Sequence, residues 1–230
     1  LRIMKYRKIL FALIFSINIS SNDIPFYSAK YKFESDEITI TGVREFKKNN
    51  DAYEMTFNAS NLIASMSFSS KFQISNDKVY SNKYNIKIKP KFLNRDQSIN
   101  FDYANNIIES SGEKKWKESI DLNKIILDPL NAQIMIRTFV KKGTKKFSLN
   151  IIDMQQGGSK KYFFKVKSVQ DCIFNESKLS CHIVERVRDG SRRKVQYYLA
   201  EELEYMFIKI LDKSPEATNK LELQEVLSFG

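Results

Sequence analysis

Apolar and polar positions alternate along most of this chain with a period of two, the spacing of a β-strand that keeps one face dry and the other wet. Tyr27, Ala29, Tyr31 and Phe33 are interleaved with Ser28, Lys30, Lys32 and Glu34. The same alternation runs through Tyr53, Met55, Phe57 and Ala59, through Phe68, Phe72 and Ile74, and through Tyr80, Tyr84, Ile86 and Ile88. Further stripes are Ile99, Phe101 and Tyr103, then Phe147, Leu149 and Ile151, then Tyr162, Phe164 and Val166. Val195, Tyr197 and Leu199, then Met206, Ile208 and Ile210, and finally Leu221, Leu223, Leu227 and Phe229 bring the total to about a dozen strands. Turn formers separate them at Asn49-Asn50-Asp51, Ser75-Asn76-Asp77, Asn105-Asn106, Gly157-Gly158 and Asp189-Gly190.

One segment departs from this period. Asp128 at an N-cap, Pro129 at the first helical position, a Lys141-Lys142 end and Gly143 beyond it predict a helix. Its apolar residues spread over more than one face, so the helix packs against the concave side of a sheet. Residues 61–66 read as a second, shorter helical turn. No Pro-, Gly- or Ser-rich linker and no repeat divides the rest. The fold expected is mainly β: one strongly curved antiparallel sheet forming a half-barrel or a closed barrel, with one helix covering or plugging it.

The N-terminus has a different character. Met4, Lys5, Tyr6, Arg7 and Lys8 give a basic start, and residues 9–19 are apolar except for Ser16 and Asn18. That run is shorter than the roughly 20 apolar residues a bilayer-spanning helix needs, and it passes into Ser20 and Ser21, so it reads as a secretory signal. The expected division is a signal at 1–21 and a single β domain at 22–230, in an exported protein of the periplasm or cell envelope. The alternative is an uncleaved N-terminal anchor.

Charge and composition narrow the chemistry. The chain carries 38 Lys+Arg against 27 Asp+Glu, a formal +11, and losing Arg2, Lys5, Arg7 and Lys8 with the signal leaves +7. One His, two Cys and no Gly-x-x-x-x-Gly-Lys-Ser/Thr loop leave no material for most zinc, nucleophilic or nucleotide sites. No cofactor and no metal is expected. In an exported protein the two cysteines pair. Residues 169–174 and 179–184 read as strands around a four-residue turn, Asn175-Glu176-Ser177-Lys178, which sets Phe174 opposite Leu179 and Cys172 opposite Cys181. Directly opposed strand residues lie about 4.5–5.5 Å apart, within disulfide reach.

Several segments together resemble one known bacterial family. They are Pro25-Phe26-Tyr27-Ser28-Ala29-Lys30-Tyr31, Ser70-Lys71-Phe72, Phe101-Asp102-Tyr103, Asp128-Pro129-Leu130, and Val184-Glu185-Arg186-Val187. The most specific is Tyr197-Tyr198-Leu199-Ala200-Glu201-Glu202-Leu203-Glu204-Tyr205, similar to an aromatic-Leu-Ala-x-x-Leu-x-Tyr corner in the family of domain of unknown function 3108. Two departures are Phe207, where the pattern leads one to expect Pro, and the lack of a Gly between Cys172 and Cys181. The resemblance implies an exported, envelope-associated β protein without an established activity.

The remaining candidates have ordinary roles open to them. Lys114-Lys115-Trp116-Lys117, Lys141-Lys142-Gly143-Thr144-Lys145-Lys146 and Arg192-Arg193-Lys194 have the composition of nucleic-acid contacts, but an exported protein meets no nucleic acid, and lysines also protect sheet edges. The same charge suits an anionic membrane surface. Gly157-Gly158-Ser159-Lys160-Lys161 lacks phosphate-loop spacing. Glu201, Glu202 and Glu204 read as solvated acids rather than a catalytic pair, and His182 as a structural residue. No constellation for an enzyme is visible. A curved sheet rich in inward aromatics must fill itself or hold an apolar ligand. One expectation is a non-catalytic carrier for a lipid-like or amphiphilic envelope component, with Phe57, Phe72, Tyr84, Phe101, Phe164 and Tyr198 as cavity candidates. The other is an envelope scaffold or protein-interaction module with a filled core.

Overall fold

The computed structural model describes residues 24–90, 95–154, 156–187, 190 and 192–230. The N-terminal apolar run therefore lies outside the described residues. Among the described residues the alternating stripes, together with shorter segments between them, form fifteen strands. The first eight are β1 (Tyr27–Glu34), β2 (Thr39–Asn49), β3 (Ala52–Ser60), β4 (Ala64–Ser75), β5 (Lys78–Pro90), β6 (Arg95–Asp102), β7 (Ile107–Gly112) and β8 (Trp116–Ser119). After β9 (Ile126–Leu127) and the helix α1 (Asn131–Lys141) come β10 (Lys146–Ile152), β11 (Ser159–Phe174), β12 (Ser177–Val187), β13 (Lys194–Ala200), β14 (Met206–Lys213) and β15 (Thr218–Phe229). Each half of the chain is a meander, and the antiparallel pairing of β1 with β15 joins the two into one sheet, ordered β8 through β1, then β15 down to β9. Every ladder is antiparallel except the short parallel β9–β10 pair.

The sheet curls without closing. Its terminal strands, β8 and β9, are not paired with each other. At the seam, the edge near β8 instead meets the β10–β11 turn through side chains. The Ser159 hydroxyl donates to Glu118 Oε1 at 2.8 Å, and Gly157, at φ +83°, lies so close to Trp116 that a Cβ would sit 2.8 Å from the indole. Strand direction fixes two ends of the curl. The β1–β2, β3–β4, β7–β8, β10–β11 and β14–β15 turns share one, here the lower end. The β2–β3, β4–β5, β6–β7 and β11–β12 turns and the β13–β14 corner share the upper end.

The concave face is dry and holds the core. Tyr31, Phe46, Met55, Phe72, Ile99 and Ile108 from the first half are almost fully buried together with Phe164 and Phe207 from the second. Phe46, Tyr53 and Phe72 stack in near-parallel planes, with centroids 6.0–6.1 Å apart. The helix α1 runs upward inside the curl, and nearly all of its residues are buried, as its all-round apolar pattern requires. Its assigned span starts at Asn131, three residues beyond Asp128, yet the hydrogen bonds are those of an Asp128 cap. The Asp128 carboxylate accepts from the Leu130 and Asn131 N–H groups at 2.8 and 2.9 Å, and the Asn131 side chain accepts in return from the Asp128 N–H at 3.0 Å. At the other end Gly143, at φ +73°, closes a Schellman motif: its N–H donates to the Val140 carbonyl and that of Thr144 to the Phe139 carbonyl.

Two expectations need correction. Residues 61–66 form no helical turn: the Asn61 side chain accepts from the Ile63 and Ala64 N–H groups at 2.9 and 2.8 Å, closing a tight β-turn, and β4 begins at Ala64. Met66 and Phe68 simply continue the period of two. The cysteine hairpin has a two-residue turn rather than four: Phe174 pairs with Ser177, so Cys172 faces Leu179 and Gln170 faces Cys181. Asn175 and Glu176 both take positive φ, the conformation of the tightest hairpin turns. The Cys172–Cys181 disulfide forms all the same, along the diagonal of the twisted ladder at a Cα separation of 5.9 Å.

Candidate functional site

The helix does not fill the whole curl. It occupies the upper part, anchored by its own polar residues: Asn131 donates to Ser81 at 2.8 Å, Arg44 donates to Gln133 at 2.8 Å, and Arg137 donates to the Glu204 carbonyl at 3.0 Å. Below its N-terminus, between the helix and the lower halves of β10 to β14, lies a cavity of about 740 Å³. That is within the range of roughly 300–1,000 Å³ typical of pockets for small organic ligands. Its inner wall is apolar, with Ile136 from the helix facing Ile151, Ile152, Val195 and Ile210 from the sheet. The one polar group on the helix wall is Gln133, whose amide oxygen is taken by Arg44 and whose amide nitrogen donates to the Pro129 carbonyl at 3.2 Å. The helix side of the wall therefore offers a ligand mainly apolar contact area and no charge.

The mouth has the opposite character. Lys160, Lys161, Arg186 and Arg193 line it with Asp153 and Asp212. Arg193 grips Asp212 with two parallel charge-assisted hydrogen bonds, and that carboxylate raises the guanidinium pKa further. The Asp153 carboxylate accepts from the Gln156 N–H at 2.9 Å. Register sets the direction of Arg186: it pairs with Phe164 on one side and Val195 on the other, both inward-facing, so its side chain enters the curl. There its guanidinium lies 4.7 Å from the centre of the Tyr162 ring, and its Nε is buried without a hydrogen-bond partner among the described residues.

The residues proposed from sequence as a cavity lining lie elsewhere. Phe57, Phe72, Tyr84, Phe101 and Phe164 are all buried in the packed core, and Tyr198 is half-buried under the Lys209 ammonium, 4.2 Å from its ring centre. None of the six lines the cavity. The sequence stripes do contain part of the lining of this cavity, in Ile151, Tyr162, Val195, Tyr197 and Ile210. Period-two alternation marks the dry face of a strand but not which part of that face the helix covers. Lys160 and Lys161, set aside with the false phosphate loop, and Arg186, a polar residue at an inward position, gave no signal of their own.

The acidic corner is structural. Glu202 accepts from the Ser180 N–H, Glu204 pairs with Lys141 at 3.0 Å, and Glu201 lies 3.0 Å from His182. The corner thereby ties the top of the helix to the upper end of the sheet. Among the described residues no group of three or more His, Cys, Asp or Glu side chains could hold a metal ion. No described helix is long and apolar enough to cross a membrane.

The sequence profile of the family described as "Protein of unknown function (DUF3108)" matches residues 26–223, nearly all of the described chain. The chain belongs to this family. Among curated proteins there is no match. A solved structure similar to it is the crystal structure of a beta-barrel-like protein of domain of unknown function DUF1849 from Brucella abortus. The two share 11% sequence identity with a TM-score of 0.57, over 89% of this chain and 98% of the other. At that identity the similarity speaks for the fold: the DUF3108 chain shares a barrel-like architecture with DUF1849.

Proposed function

We propose that this DUF3108 protein is an exported, non-catalytic binding protein that carries a lipid-like or amphiphilic component of the cell envelope. The cavity carries the reading: a hollow of about 740 Å³ with an apolar inner wall and a charged mouth suits a molecule with an apolar body and a polar end. The Cys172–Cys181 disulfide suits an oxidising compartment, and the basic start followed by an apolar run suits export. An anionic membrane surface is the partner the reading implies, as donor or acceptor of the cargo.

The test is native mass spectrometry of the protein purified from its own cell envelope, with organic extraction of what co-purifies. A stoichiometric lipid or glycolipid supports the carrier and identifies the cargo. A protein that is empty and retains no added lipid overturns it. One observation favours a second reading, an interaction module: the stapled tip of the β11–β12 hairpin runs beyond the β13 ladder and exposes Ile173 (70%), with Val169 (50%) exposed at its base. An empty protein that captures an envelope protein only when this tip is intact would favour that role.

A further inference from the structure

We infer that the cavity selects a ligand with an anionic head, a carboxylate or a phosphate, held at the mouth by Arg186 and Lys160 while the apolar part lies inward against Ile136 and Ile151. This rests on the carrier reading and adds the chemical class of the ligand. The charges at the mouth do not all pair with one another. Of the two acids at the mouth, Asp212 is engaged by both arms of Arg193, and Asp153 caps the turn to Gln156. Lys160 stands two residues before Tyr162 on the same strand and so shares its inward side. Arg186 stands on the neighbouring strand, with Phe164 and Val195 as its cross-strand partners. Its sequence neighbour Glu185 points the other way, toward Lys167 and Lys194. An inward guanidinium with a buried Nε, laid over the Tyr162 ring and flanked by apolar pairs, is costly to leave unmatched. An anion arriving at the mouth supplies the acceptor, and planar, forked donors suit carboxylate and phosphate oxygens.

The polarity of the wall fixes the orientation. Gln133, on the helix side, already gives its amide oxygen to Arg44 and one amide hydrogen to Pro129, and the lining residues from the helix include no cation, so a charged head placed inward would meet no opposite charge there. At the mouth the same head meets cations and solvent.

The experiment compares four amphiphiles with the same twelve-carbon tail, dodecanoate, dodecyl phosphate, dodecanol and dodecyltrimethylammonium, by isothermal titration below their aggregation concentrations. The expected result is that at least one of the two anions binds ten-fold or more tighter than the alcohol, with the cation weakest. Which anion leads distinguishes a fatty-acid-like from a phospholipid-like source. Arg186→Gln is expected to remove most of that preference, read as the ratio of anion to dodecanol affinity within the same variant, and Lys160→Gln provides a second variant at an independent position. Equal binding of alcohol and anions by the wild-type protein overturns the anion inference and leaves the carrier standing. Failure of all four to bind overturns both.

Discussion

Asp128 is fully buried, and four donors converge on its two carboxylate oxygens: the Ser70 hydroxyl at 2.6 Å, the Asn131 side-chain amide at 2.7 Å, and the Leu130 and Asn131 N–H groups. Burial pushes its pKa up to about 7, against the downward pull of those hydrogen bonds. A carboxyl with a raised pKa in the folded protein holds its proton where the unfolded chain has released it. Its contribution to stability is therefore complete below about pH 4, where both states are protonated, and is lost as pH rises toward 7. The expected outcome is that the stability advantage of the wild-type protein over Asp128→Asn shrinks between pH 5 and pH 8, read from denaturant midpoints at each pH. A constant difference would mean that Asp128 is already charged throughout. Sequence revealed Asp128 as a cap, because Asp-Pro-Leu-Asn is a local pattern, but its partner Ser70 lies 58 positions away and its burial depends on the curl of the sheet. Arg44 and Arg137 were invisible for the same reason. A charged residue at an inward strand position or on a buried helix reads as an interruption until the structure shows an aromatic ring beside it: Tyr31 at 4.8 Å for Arg44 of β2 and Tyr27 at 5.3 Å for Arg137 of the helix.

At the scale of elements, stripes of aromatic and branched side chains were legible, whereas strands with mixed inner faces were not. The inward positions of β2 include Gly42 and Arg44 beside Ile40 and Phe46, so no apolar stripe marks it. The short β7 offers only Ile108 and Ser110 as buried positions, too few to count as a period. Register was the harder quantity, because a two-residue error in a turn preserves which side chains share a face and changes only their partners. That is why the disulfide survived the change of turn: Cys172 and Cys181 stay on one side of the ladder in both registers. The bond closes a local loop with a sequence separation of 9. Replacing both cysteines with alanine is expected to lower stability by about 2–3 kcal/mol on the chain-entropy description, seen as a lower thermal midpoint with unchanged far-ultraviolet circular dichroism. Reduction of the wild-type protein should give a similar shift. A double variant as stable as the oxidised protein would show that the two-residue turn and its ladder hold this hairpin unaided.

For the molecule as a whole, the cavity mouth and the most exposed apolar side chain among the described residues lie at the same end. The β3–β4 turn reaches the lower end, where Leu62 is 98% exposed and Ile63 54%, on a turn held tight by Asn61. On the adjacent β5, Lys87 and Lys89 are exposed opposite Ser67 and Ser65, so cations flank the apolar tip. A leucine that touches nothing in its own protein adds nothing to folding, but inserted among lipid chains it is worth about 1.5–3 kcal/mol, and lysines beside it add attraction to anionic head groups. A carrier that transfers cargo through its mouth gains from presenting that end to the bilayer. The expected outcome is that Leu62→Asp with Ile63→Asp lowers co-sedimentation with vesicles containing anionic phospholipid by ten-fold or more, without altering the thermal midpoint. Leu122→Asp changes an equally apolar, 69% exposed residue at the upper end and should leave vesicle binding intact. Raising the salt concentration should weaken what binding remains, since exposed charges are screened over about a Debye length of 10 Å at 0.1 M. If both variants lose vesicle binding alike, attraction to the bilayer is diffuse rather than directed by the mouth. If neither does, the protein meets its cargo away from the membrane, and dodecanoate binding to the cavity in the absence of vesicles would still stand as an independent measurement.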